Sequence, residues 1–145
     1  MFLSTLTDRG AAPALVKTVA FHEARLGVIA ENIANSATPN FRAKQLDAKA
    51  FQSSLGEALA RREEDPSRPL VLARSSQVNT DPWGRLKLTP TERPVENILF
   101  HDGTNLSIER EMAELAETGM VHELASTLLR GHFDRLRSAV RGSAA

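Results

Sequence analysis

The sequence predicts a mainly α-helical chain, with long N- and C-terminal helices packed as an antiparallel coiled-coil pair. Between them it predicts an irregular middle segment holding a small β-hairpin. Three observations carry this expectation. Apolar residues recur at helical spacing near both ends. Five of the seven prolines lie between residues 40 and 106, where apolar residues are sparse. Aromatic residues are 5% of the chain, so the core must be filled mainly by Leu, Val, Ile and Ala, as in packed helices. The segments divide as 1–39, 40–106 and 107–145, and together they read as one helical assembly domain.

The first helix is expected over residues 15–34. Leu15, Val19, His22, Leu26, Ile29 and Ile33 advance in steps of four and three, a heptad seam that asks for a partner helix. Upstream, Gly10 and Pro13 act either as breaks or as the first turn of this helix. A short separate helix near residues 2–8 is the alternative for the extreme N-terminus. Downstream, Pro39 bars continuation and drives Thr38 out of helical geometry, while Asn40 suits the left-handed conformation that turns the chain. Asn32 and Asn35 lie three apart, beside the seam. Their amides can satisfy loose helix-end carbonyls or reach a neighbouring chain.

In the middle, "RREEDPSRP" reads as a solvated linker. Val78 and Thr80 before Asp81-Pro82-Trp83-Gly84, and Leu86 and Leu88 after it, alternate as a hairpin around a type I turn. A lone hairpin is marginal in water, so this one is expected to rest on another element. The last helix is expected over residues 107–141, with Ser107 as N-cap and Glu109 and Glu111 in the first turns. Its stripe runs through Ile108, Met112 and Leu115, then Leu124, Leu128 and Leu129, then Phe133, Leu136 and Val140. Arg135, Arg137 and Arg141 sit where cations favour the helix dipole.

Chemistry is hard to place on this chain. Lys and Arg total 18, as do Asp and Glu, so the net charge is zero and nucleic acid is not an expected partner. The absence of cysteine removes disulfides, thiolate chemistry and Cys-ligated zinc. "HEARL" at residues 22–26 has Leu26 where a zinc-protease helix needs its second histidine. The four histidines are scattered, and no metal is expected. Glu109, Glu111, Glu114 and Glu117 read as a solvated helix face, and Arg130, Arg135, Arg137 and Arg141 as helix-end charges. There is no glycine-rich phosphate loop and no nucleophile elbow. The expectation is therefore no enzyme, no cofactor and no small-molecule substrate. The first ten residues lack a basic segment followed by an apolar run, so no cleaved signal peptide is expected. No stretch is apolar enough to span a membrane.

Residues 30–47, "AENIANSATPNFRAKQLD", carry a more specific signal. Asn32, Ile33, Ala34 and Asn35, followed by Thr38, Pro39, Asn40, Phe41 and Arg42, resemble the N-terminal signature of the bacterial flagellar axial proteins. The Thr-Pro-Asn-aromatic run is most similar to the proximal-rod group of the basal body. The closing helix, with Glu111-Met112-Ala113 near its start, resembles that group too. Most members have Gly in place of Asn40 and many have Tyr in place of Phe41. His122 stands where the group often has Tyr.

The resemblance implies a structural subunit. It would be exported through the flagellar type III apparatus and would polymerise with itself and other rod subunits into a hollow helical tube. That tube, joined to the membrane ring and export gate, would transmit torque and leave an export channel open. A chain of 145 residues is too short for distal rod or hook proteins. The alternatives are another short rod subunit, or a soluble coiled-coil adaptor or export chaperone. On the assembly reading, Asn32, Asn35 and the turn from Thr38 to Phe41 are expected at a subunit contact. The amides would bond a neighbour's backbone, and Phe41 would insert between helices. The isolated monomer is expected to have low stability and mobile ends.

Overall fold

A computed structural model describes residues 10–66, 68–81, 84–94 and 107–142. The elements are α1 (Ala12–Ala34), β1 (Lys44–Gln45), α2 (Ala48–Glu64), β2 (Val78–Thr80), β3 (Leu86–Leu88), β4 (Thr91–Glu92) and α3 (Ile108–Arg141). The suggested helix at residues 2–8 lies outside the described residues.

α1 starts a little earlier than its apolar spacing suggested, because Pro13 is accommodated in its first turn, where a missing N–H costs nothing. Gly10 supplies the left-handed residue ahead of it, at φ 69°. α3 starts after Ser107, as expected, but the Ser107 hydroxyl does not cap the backbone. It donates to the Glu109 carboxylate at 3.0 Å, and the helix ends on Gly142 at φ 69°.

α1 and α3 pack together and run antiparallel. The C-terminal end of α1 meets the start of α3, with Asn32 bonded to Glu111 and Arg25 to Glu114. At the other end, Gly10 lies against the His132 ring.

The middle segment corrects an expectation. It contains a 17-residue helix, α2, which takes in Arg61, Arg62, Glu63 and Glu64 from the stretch read as a linker. The Asp47 carboxylate caps α2 by accepting the Ala50 N–H at 3.0 Å. The inward residues of α2 are Phe51, Leu55 and Ala58, at steps of four and three. Three apolar residues within a run of Ser, Glu, Arg and Ala left little periodicity to read.

The hairpin forms with the expected alternation: Val78 is opposite Leu88, and Thr80 is opposite Leu86. Its turn is closed by the Gly84 N–H on the Asp81 carbonyl, at 2.9 Å, with Gly84 at φ 81°. Pro82 and Trp83 lie outside the described residues. A second antiparallel pair joins β1 to β4, with Lys44 opposite Glu92.

All of this rests on a second face of α1. Phe21 and Val28 point away from the α3 seam and meet Phe51, Leu46, Leu72 and Val78 in one buried cluster. The Phe21 and Phe51 rings stack with centroids 4.0 Å apart and planes 6° from parallel. The Lys17 ammonium reaches the Gly84 carbonyl at 3.0 Å and fixes the hairpin tip against α1. The Gln77 side chain ties the two strand pairs together. Its amide donates to the Gln45 carbonyl at 3.1 Å and to the Thr91 hydroxyl, and its oxygen accepts the Asp47 N–H at 2.8 Å. The hairpin therefore rests on another element, as its small size requires.

Phe51→Ala removes one member of a stacked, fully buried pair. We expect it to cost about 3–5 kcal/mol and to lower the urea midpoint. An unchanged midpoint would mean that the middle segment does not dock on α1 in solution.

Candidate functional site

The signature stretch ends α1 and returns the chain to β1. Its turn has the expected form. The Phe41 N–H donates to the Thr38 carbonyl at 3.2 Å, with Pro39 second and Asn40 third. Asn40 is the one described non-glycine residue with positive φ, at 59°. A proline followed by a left-handed residue is the pattern of a type II turn, which admits glycine or asparagine at the third place. Asn35 closes the helix end locally: its amide donates to the Glu31 carbonyl at 2.8 Å, and its oxygen accepts the Thr38 hydroxyl at 3.4 Å. Thr38, Pro39 and Asn40 are exposed, Phe41 and Ile33 half-buried, and Ala34 exposed.

Asn32 behaves differently from the expectation that it reaches a neighbouring chain. Its side chain is 0% exposed and is fully engaged within the subunit. Its oxygen accepts the Lys44 N–H at 3.0 Å, and its amide donates to the Lys44 carbonyl at 2.9 Å, so it pairs with β1 as another strand would. The same amide donates to Glu111 Oε2 at 2.9 Å.

Glu111 is also 0% exposed, and its other oxygen accepts from the Arg93 guanidinium. Arg93 is 8% exposed; it reaches Glu114 Oε2 at 3.2 Å, and its N–H donates to the Ala43 carbonyl at 2.7 Å. Arg25 meets the same Glu114 oxygen at 3.3 Å, and Arg110 the other oxygen at 3.4 Å. A buried carboxylate is tolerable only when both oxygens are bonded and its charge is paired. Here Asn32 from α1 and Arg93 from the chain after β4 meet that condition for Glu111 on α3. The acidic run at the start of α3 thus splits in two. Glu111 and Glu114 face inward, while Glu109 and Glu117 are exposed. Sequence reasoning missed Arg93, which lies in a stretch without periodicity.

The α3 seam also departs from the expected stripe. Buried or half-buried positions run through Glu111, Leu115, Thr118, His122, Ala125, Leu129, His132 and Leu136 in steps of four and three, with Glu114, Gly119, Val121, Ser126 and Gly131 half-buried beside them. Of the expected seam residues, Leu115, Leu129 and Leu136 face inward. Met112 and Phe133 do not, and neither do Ile108, Leu124, Leu128 and Val140. The inward set mixes three leucines with Glu111, Thr118, His122 and His132, so apolarity alone marked only part of it. The readable signal was the spacing of seven through Leu115, His122, Leu129 and Leu136. On α1 Ile29 is buried, and Leu15, Val19, Leu26 and Ile33 are half-buried.

A cleft of about 270 Å³ lies beside this cluster, between Arg25, Lys44, Leu46, Lys49, Arg93 and Glu117. Two of its cations, Arg25 and Arg93, pair with Glu114 on its wall. Among the described residues no group of His, Asp and Glu is placed to hold a metal, and no helix is long and apolar enough to cross a membrane.

Asn32→Ala leaves the Lys44 N–H, the Lys44 carbonyl and one Glu111 oxygen short of partners. We expect about 1–3 kcal/mol of lost stability for each group left bare, with Asn32→Asp worse because it sets a second carboxylate against Glu111. Asn40→Gly should be neutral in the same denaturation experiment, because glycine takes the left-handed conformation freely. An Asn32→Ala protein as stable as the parent would show that this bonding does not hold in solution.

Comparison with known proteins gives a consistent result. No protein-family model matches the chain. A curated relative from Borrelia hermsii, described as flagellar basal body rod protein FlgB, is 29% identical over 121 residues, covering 81% of this chain and 85% of the relative. A second from Salmonella typhimurium, with the same description, is 24% identical over 126 residues, covering 81% and 83%.

Proposed function

We infer that the chain is a flagellar basal-body rod protein of the FlgB group, a structural subunit that acts by assembling with other rod components. It is not an enzyme. The similarity to the two relatives runs over most of each chain.

The observation that carries the assembly reading is the inverted character of α3. Its inner side holds Glu111, Thr118, His122 and His132 among Leu115, Leu129 and Leu136, while Met120 at 69% exposure and Leu124 at 61% stand outward with Met112 and Leu128. A helix in a self-sufficient domain turns its apolar residues inward. A row of large apolar side chains on the outside is a surface that another chain covers. The covering chains are neighbouring rod subunits, copies of this one among them. A repeated head-to-tail contact builds an open helical array, which closes around a channel.

In that tube α1 and α3 act as an antiparallel coiled-coil pair, and segments 1–39, 40–106 and 107–145 form one assembly unit. The exposed turn at Thr38, Pro39 and Asn40, with Asn35 and Phe41 beside it, borders the contact with the next subunit. Asn32 stands behind that contact and holds the turn in place from within. The subunit occupies the proximal rod, between the membrane ring and export gate on one side and the more distal rod on the other. It carries torque there and leaves the export channel open.

The test replaces outward residues only. Leu124→Asp with Leu128→Asp, introduced in place of the native gene, should abolish motility and leave no rod in isolated basal bodies. The purified variant should keep its helical circular dichroism. Intact basal bodies from this strain would overturn the assignment of this face to assembly.

A further inference from the structure

Three of the chain's four histidines, His22, His122 and His132, lie along the α1–α3 joint. His22 is the most enclosed, at 2% exposure. Its Nδ1 is buried and makes no hydrogen bond within the chain. Its ring edge packs against Phe21, with centroids 5.4 Å apart at 88°. The groups that bear on it electrostatically are Arg25 from α1, and Glu117 and His122 from α3. Arg25 is in turn paired with Glu114, which Arg93 and Arg110 also engage. Further along the seam, the Thr118 hydroxyl and His132 Nε2 are likewise buried without a partner in the chain. This joint therefore holds a neutral imidazole easily. An imidazolium would be desolvated, would face Arg25 and His122, and would have Glu117 alone as a counter-charge.

We propose that the α1–α3 joint is a proton-sensitive clasp, in which uptake of a proton by His22 loosens the two helices from each other. The clasp lies along α1 from the Asn32–Glu111–Arg93 bonding, which joins the same two helices nearer the signature turn, and the Arg25–Glu114–Arg93 pairs connect the two. Acid would therefore open the joint from its middle while the end near the turn stays tied.

The direction follows from the ring's surroundings. Burial first, then Arg25 and His122, hold the imidazole below its ordinary value of 6.5, and Glu117 offsets part of this. In the unfolded chain the ring takes up its proton near that ordinary value. The His22 contribution to stability is thus fully present above pH 6.5. It falls as the pH drops through that value and levels off below the lower folded value.

The experiment follows the purified full chain by two readouts. One is the ring-proton NMR titration of each histidine. The other is the melting temperature between about pH 7.5 and pH 5.5. We expect His22 to titrate below the ordinary histidine value and the melting temperature to fall by about 3 °C or more on acidification. His22→Gln, which keeps a polar side chain and removes the titration, should flatten that dependence. His122→Gln should weaken it. A His22 titration at or above the ordinary value overturns the proposal, as does a His22→Gln protein with the parent's pH dependence. A helix pair absent from the isolated chain at pH 7.5 overturns it as well. If His22→Gln fails to fold, the NMR titration of the parent decides alone.

Discussion

The burial of the Glu111 carboxylate is the constraint on which the rest of this chain depends. A charge with no exposure must be met by opposite charge and by hydrogen bonds, and three distant pieces of sequence supply them. Asn32 arrives on α1, Arg93 on the chain after β4, and Glu111 itself on the first turn of α3. Glu111 keeps a buried oxygen without a partner if either Asn32 or Arg93 is absent. The contact therefore forms as a unit, and it sets the offset at which the two long helices meet. It also sets the path of the chain between them, because Asn32 clasps Lys44 and Arg93 clasps Ala43 in the same act.

α1 is the element on which everything else is laid. It meets α3 through Arg25 and Asn32, while Phe21 and Val28 face the middle segment. This resolves a difficulty of size. Two helices with one apolar stripe each could bury only each other, too little to offset the entropy of ordering them. A second apolar face on α1 brings α2, the hairpin and the chain between them into one core. Two stacked phenylalanines at its centre serve where large rings are scarce.

Much of this was legible in the sequence, and what was not had physical reasons. The α1 helix followed from its apolar spacing, and the hairpin from alternation around Asp81 and Gly84. The turn at Thr38 to Phe41 followed from proline and a left-handed asparagine. Those features are local, and their cause lies within a few residues. The α3 seam was misread because Glu111, Thr118 and two histidines face inward while Met120, Leu124 and Leu128 face outward. On the proposed assembly the outer row answers to partners, which one chain does not display. α2 was missed because three apolar residues suffice to dock it. The role of Asn32 was half legible: the amide beside the seam could be seen, but the choice between a neighbour's backbone and the chain's own depended on Arg93 and Glu111, far along the sequence.

The two sides of α3 also differ in how they bear load. The inner side is fastened near its start by Glu111 and Glu114, to groups on α1 and after β4. The outer side offers a smooth row of thioethers and leucines. A pull along the α3 axis stretches the ionic fastenings on the inner side together, because they sit within one helical turn and share the strain. The same pull lets the outer row slide by a ridge at little cost, since dispersion contacts have no preferred direction. Such a subunit is stiff within itself and compliant toward its neighbours. On the proposed assembly, a shaft made of such units can flex as it turns, with each unit keeping its own shape.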